Sequence, residues 1–96
     1  MKDKLLTNIK EVKEICLLID KGEDYKGRIH LFLSNINETI SWILTKNLIN
    51  QQFVIQVLKD IVYAVEYEDT VILKDTLRYG LLEIYYYVNE NCQCEE

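Results

Sequence analysis

The sequence predicts an all-α fold, specifically an antiparallel up-down four-helix bundle. Its 96 residues contain no proline and only three glycines, so the residues that break helices are nearly absent. Apolar residues recur at three- and four-residue spacing along almost the whole chain, which is the period of an amphipathic helix rather than of a strand. The short links between the predicted helices favour antiparallel neighbours.

The first two helices are predicted near residues 3–21 and 25–46. Gly22 follows the first, where a glycine suits the residue just after a helix C-terminus. The apolar stripe of the second repeats every seven residues, as in bundle packing. The two stripes comprise Leu5, Ile9, Val12, Cys16 and Ile19, and then Ile29, Leu33, Ile36, Ile40 and Ile43.

The third and fourth helices are predicted near residues 51–67 and 70–91. Asn50 precedes the third, and Asp69 or Thr70 is a good N-cap for the fourth. Residues 1–91 then form a single helical bundle domain, and residues 92–96 a flexible acidic tail with Cys-x-Cys. The stripes comprise Val54, Val57, Leu58, Ile61 and Val65, and then Leu73, Leu77, Leu81, Ile84 and Val88. Deep burial is expected for Ile36, Ile40, Ile61, Leu77 and Ile84.

The charge of the chain is acidic and uneven. The formal net charge is -5; residues 1–50 hold eight Lys and Arg against seven Asp and Glu, and residues 51–96 hold three against nine. Nucleic-acid binding needs clustered Lys and Arg, so a nucleic-acid partner is not expected. No apolar run approaches the roughly 20 residues that span a bilayer. We therefore expect a cytoplasmic protein with no membrane partner.

Residues 69–81 form the pattern Asp-x-Val-x-Leu-x-Asp-x-Leu-x-Tyr-x-Leu. This pattern resembles a segment of small uncharacterised all-helical proteins of Gram-positive bacteria, and Ile61, Ala64 and Glu66 extend the match to roughly residues 61–81. Arg78 and Gly80 stand where that family usually has acidic residues. The resemblance implies a helical fold of unknown function and carries no catalytic residue to this chain.

The strongest candidate for reactive chemistry is Cys92-x-Cys94. Two thiols one residue apart can chelate a soft metal, but a closed zinc site needs four ligands, and only Cys16 and His30 are otherwise available. Catalytic motifs such as a Ser-His-Asp set or a glycine-rich phosphate loop are absent from the sequence. We expect no enzyme and no cofactor, and Cys92 and Cys94 stay as metal or redox candidates.

Tyrosine is unusually frequent, with seven in 96 residues and three in succession at residues 85–87. Consecutive residues point in different directions around a helix, so these three cannot all lie in the core. Tyrosine is enriched where an apolar ring meets a partner and its hydroxyl stays in water. The predicted partner interface comprises Tyr63, Tyr67, Asp75, Arg78, Tyr79, Leu82 and Tyr86; the alternative is that these rings close the edge of the bundle.

The sequence therefore favours a protein–protein interaction module, an adaptor or small chaperone-like protein that presents this tyrosine-bearing surface. The alternative is a small metal- or redox-responsive protein that uses Cys92 and Cys94. A further alternative is a homodimer, in which Tyr79, Leu82 and Tyr86 pack against their own copies across a two-fold axis.

Overall fold

Helices are the only regular secondary structure in residues 1–91, the part of the chain that the computed structural model describes, and they include about 85% of it. The predicted all-α class is confirmed. The elements are α1 Lys2–Asp20, α2 Lys26–Asn35, α3 Asn37–Lys46, α4 Gln51–Glu66, α5 Thr70–Thr76, a π-helical segment Leu77–Leu81 and α6 Leu82–Asn91. The last three are continuous and are called the C-terminal helix, so the described residues form five helices. The predicted tail at residues 92–96 lies outside the described residues.

The single helix predicted near residues 25–46 is two helices, α2 and α3, which meet at Ile36. The backbone of Ile36 has φ -92° and ψ -3°, and its side chain is buried. Its neighbours Ser34, Asn35 and Asn37 are weak helix formers because their side chains compete for backbone hydrogen bonds. The Ser34 hydroxyl does so, donating to the Leu31 carbonyl at 2.8 Å. The four-helix up-down arrangement is therefore not confirmed.

Two of the helices end in the same hydrogen-bonded turn. After α1, Gly22 takes the predicted left-handed conformation with φ +71°, and the Glu23 N–H donates to the Leu18 carbonyl at 2.9 Å. After α4, Glu68 holds the equivalent position with φ +54°. The links that contain these turns have five residues after α1 and three after α4, so α2 packs against α1 and α5 packs against α4.

Polar side chains cap two helices at their N-termini, as the sequence predicts. The Asn50 side-chain oxygen accepts from the N–H groups of Gln52 at 2.7 Å and of Phe53 at 3.3 Å, at the start of α4. The Asp69 carboxylate accepts from the Ile72 N–H at 3.0 Å, at the start of α5. Each cap typically stabilises its helix by about 1 kcal/mol.

The core lies between α1, α4 and the C-terminal helix. The C-terminal helix packs against both α1 and α4, α2 packs on α1, and the main backbone contacts of α3 are with α2. The five residues for which the sequence predicts deep burial are all buried, which confirms the predicted apolar stripes at these positions; they are Ile36, Ile40, Ile61, Leu77 and Ile84.

Ion pairs join α1 to its neighbours at the surface. Lys74 Nζ lies 2.5 Å from Asp20 Oδ1 and joins α5 to the end of α1, while Arg28 lies 2.5 Å from Glu14 and joins α2 to α1. The hydrogen bond from Lys74 lowers the pKa of the Asp20 carboxyl. Surface pairs of this kind contribute little to stability.

Candidate functional site

The outer face of α4 carries an apolar groove. The inner face of the helix is fully used by the core, through Val54, Val57, Ile61 and Ala64. On the opposite side Ile55 and Val62, seven residues and nearly two turns apart, stay 40% and 48% exposed. With their neighbours they line a shallow groove of about 380 Å³, formed by Ile55, Leu58, Lys59, Val62, Tyr63 and Glu66.

Two opposite charges line this groove, Lys59 in the middle of α4 and Glu66 at its last turn. Within residues 1–91 the ion pairs lie elsewhere, and neither of these two side chains takes part in one. The groove is therefore apolar along its length and carries one unpaired charge of each sign.

The tyrosine pair predicted on this helix borders the groove. The rings of Tyr63 and Tyr67 lie with centroids 4.6 Å apart and planes tilted by 38°. Their side chains are 52% and 68% exposed. Tyr67 is the C-cap residue of α4, so the turn that ends the helix also holds the second ring. Tyr63 lines the groove and Tyr67 packs against it, so the two rings form an aromatic edge to the groove.

The other predicted interface residues lie on the C-terminal helix, and the structure divides them. Asp75 and Tyr79 are exposed, and the Arg78 guanidinium lies over the Tyr79 ring at 5.9 Å from its centroid. Tyr79 forms no ring contact with Tyr63 or Tyr67 within the described residues. The tyrosines of the predicted partner interface therefore do not form one aromatic cluster around the α4 groove.

Leu82 and Tyr86 lie on the side of the C-terminal helix that faces α1. Leu82 is buried, at 8% exposed, beside Cys16 and Leu17 of α1. Tyr86 is half-buried, and the Lys13 ammonium of α1 lies 5.6 Å from its ring centroid. Two of the three residues predicted for the homodimer contact, Leu82 and Tyr86, therefore pack within the chain itself.

The cysteines predicted as metal or redox candidates, Cys92 and Cys94, lie outside the described residues. Cys16 is buried in α1, and burial raises the pKa of its thiol. No group of three or more His, Cys, Asp or Glu side chains in residues 1–91 is placed to share a metal ion.

A second concavity, of about 470 Å³, is polar and lies between α1 and the joint of α2 with α3. At its base the buried Asn8 side chain donates to the Thr39 hydroxyl at 2.7 Å. At its surface Lys4 and Glu38 form an ion pair across the cleft, and the hydrogen bond from Lys4 lowers the pKa of Glu38. These pairs satisfy one another, so the cleft is a polar contact between α1 and α3.

The sequence predicts Tyr63 and Tyr67 as interface residues, but it does not predict Ile55 and Val62 as such. The apolar period predicts Leu58 in the core stripe of its helix, whereas the side chain is half-buried and lines the groove. The available signal is the i, i+7 pair of β-branched residues, Ile55 and Val62, off the dominant stripe.

Comparisons of this chain with protein-family models, with curated proteins and with solved structures find no significant match. The resemblance of residues 61–81 to small helical proteins of Gram-positive bacteria stays a prediction. No helix within residues 1–91 combines the length and the apolar character needed to cross a membrane.

Proposed function

We propose that this protein is a non-enzymatic, cytoplasmic protein–protein interaction module, an adaptor or small chaperone-like protein, whose partner surface is the α4 groove with its tyrosine edge. The observation that carries the proposal is the row of exposed apolar side chains along the outer face of a helix whose inner face already fills the core. Contiguous exposed apolar surface is uncommon on soluble monomers and marks interaction sites.

The composition of this surface supports a protein partner rather than a small molecule. The groove is shallow and open along the helix, whereas small-molecule sites are concave and enclose most of the ligand. Two tyrosines at its edge supply large rings with hydroxyls that can stay in water, the residue type enriched at binding hot spots. Isolated Lys59 and Glu66 at the rim suit the polar border of an interface core.

Site-specific photo-crosslinking in cells of the native host tests the proposal. A photoreactive amino acid replaces Ile55 in the groove, and in a control it replaces Leu31 on α2. Leu31 is the more exposed of the two, at 58% against 40%, so non-specific reaction would favour the control. We expect a discrete crosslinked product from position 55 and none from position 31.

Two variants then locate the surface. The crosslink from position 55 should be lost when Val62→Ser is combined with Tyr63→Ala, because both side chains line the groove. It should persist with Tyr79→Ala, which removes a more exposed ring, on the C-terminal helix. Equal products from positions 55 and 31, or no product from either, would contradict the proposal.

A further inference from the structure

The charges that flank the α4 groove are arranged so that the surface complements itself. Lys59 and Glu66 are seven residues apart, nearly two helical turns, and so lie on the same side of α4. Val62 and Tyr63 occupy the positions midway between them. Rotation by 180° about an axis at the level between Val62 and Tyr63, perpendicular to the helix, exchanges the level of Lys59 with that of Glu66.

Placing a second α4 across that axis gives an antiparallel pair in which each charge meets its opposite. Lys59 of one copy then lies opposite Glu66 of the other, and the same contact occurs twice because the interface is symmetric. A parallel pair would instead set Lys59 against Lys59 and Glu66 against Glu66. The charge pattern thus selects the antiparallel orientation.

The apolar residues fit the same register. Next to the axis, Val62 packs against Val62 of the second copy on one flank and Tyr63 against Tyr63 on the other. Leu58 borders the contact on the Val62 flank and Tyr67 borders it on the Tyr63 flank. From residue 58 to residue 67 the paired segment spans about 14 Å, at 1.5 Å per residue.

We infer that the α4 groove binds a second copy of this chain in an antiparallel, two-fold α4–α4 dimer centred between Val62 and Tyr63. The inference rests on the proposed function, because it names the partner of the same groove. It also moves the homodimer contact predicted from the sequence away from the C-terminal helix, where Leu82 is buried and Tyr86 packs beneath Lys13. The net charge of each copy opposes association, but at physiological salt that repulsion is screened beyond about 8 Å.

Sedimentation equilibrium of the full chain with a charge-reversal cycle tests the dimer. The samples are the natural chain, Lys59→Glu, Glu66→Lys and the double variant, with circular dichroism to check that each is folded. Each single reversal places like charges opposite each other twice, so we expect the dimer dissociation constant to rise about tenfold. The double variant restores opposite charges and should return to within about threefold of the natural chain.

The two single reversals control for net charge, because Lys59→Glu makes the chain more acidic and Glu66→Lys makes it less so. A pure net-charge effect would move the dissociation constant in opposite directions, and that result would overturn the register, as would a dimer that neither reversal weakens. A monomer up to millimolar concentration would overturn the dimer altogether. If that monomer still gave a crosslink from position 55 to another protein, the proposed function would stand; if it gave none, both would fail.

Discussion

Tyr85 is the largest side chain that is completely buried in the described residues, and its hydroxyl has no hydrogen-bond partner among them. Desolvation raises the pKa of this phenol, with a smaller contribution from the negative charge of Glu11. The hydroxyl therefore stays protonated at neutral pH. Its ring fills the core, while its hydroxyl has lost its hydrogen bonds to water and gains none from the described residues.

The free energy of unfolding of Tyr85→Phe should therefore rise by about 1 kcal/mol, because a buried hydroxyl without a hydrogen bond costs about 1–3 kcal/mol. The neighbouring Tyr87→Phe is the matched control; Tyr87 is 47% exposed, and its change should stay within about 0.5 kcal/mol. Urea titrations measure both. A loss of more than about 1 kcal/mol in Tyr85→Phe would show that the hydroxyl is hydrogen-bonded in the folded protein.

Among the elements, the π-helical segment of the C-terminal helix decides which of its side chains are buried. The Leu82 N–H donates to the Leu77 carbonyl, five residues back instead of four. The extra residue in this turn changes the phase of the following residues by about 100° relative to a regular α-helix. Leu82 and Tyr85 are consequently buried together with Leu81 and Ile84.

The sequence was sufficient to predict the C-terminal helix and its apolar stripe, but not this segment. Leu73, Leu77, Ile84 and Val88 repeat with a clear helical period, and all four are buried. Periodicity assumes a uniform turn, so it placed Leu82 on an outer stripe. Whether a backbone N–H bonds to the carbonyl five residues earlier depends on how the neighbouring helix packs. In a single sequence the main sign of such a segment is an interior glycine.

The candidate site shows the same limit. Tyr63 and Tyr67 were predictable because i, i+4 tyrosines outside a stripe indicate a surface use. The groove beside them was not, because residues such as Leu58 can join either of two apolar faces, and only the position of the C-terminal helix against Val57 and Ala64 fixes which face is covered.

Gly80 lies on the side of the C-terminal helix that packs against Val57 of α4. A Cβ at this position would lie 3.2 Å from both methyl groups of Val57, nearer than the optimal separation of about 3.5–4.0 Å between carbon atoms. In Gly80→Ala the gain in helix propensity, about 1 kcal/mol, is therefore offset by this contact. With Val57→Ala present, the same substitution should stabilise the protein by about 1 kcal/mol.

Thermal unfolding of the two single variants and the double variant measures this coupling. Gly27→Ala is the control, because Gly27 lies in a helix and a Cβ there would meet nothing within 4 Å. It should give most of the propensity gain in any background. Equal effects of Gly80→Ala with and without Val57 would contradict the close approach of the two helices.

Across the whole molecule, stability is expected to be uneven, because the helices share the core unequally. α1, α4 and the C-terminal helix pack on one another, whereas the main backbone contacts of α3 are with α2. Beyond that, α3 places Ile40 and Ile43 in the core, and it is joined to α1 by the buried Asn8–Thr39 hydrogen bond and the exposed Lys4–Glu38 ion pair. A helix with few core neighbours can open while the rest of the protein stays folded.

Native-state hydrogen exchange should therefore show the amides of α3 exchanging through a local opening, faster than those of α4 and the C-terminal helix, which require global unfolding. Thr39→Val should accelerate this opening further, because it leaves the buried Asn8 amide without its acceptor, at a cost of about 1–3 kcal/mol. Since α4 exchanges only when the whole domain unfolds, its rates respond to the global free energy alone. Protection of α3 equal to that of α4, before and after the substitution, would instead mean that all five helices unfold as one unit.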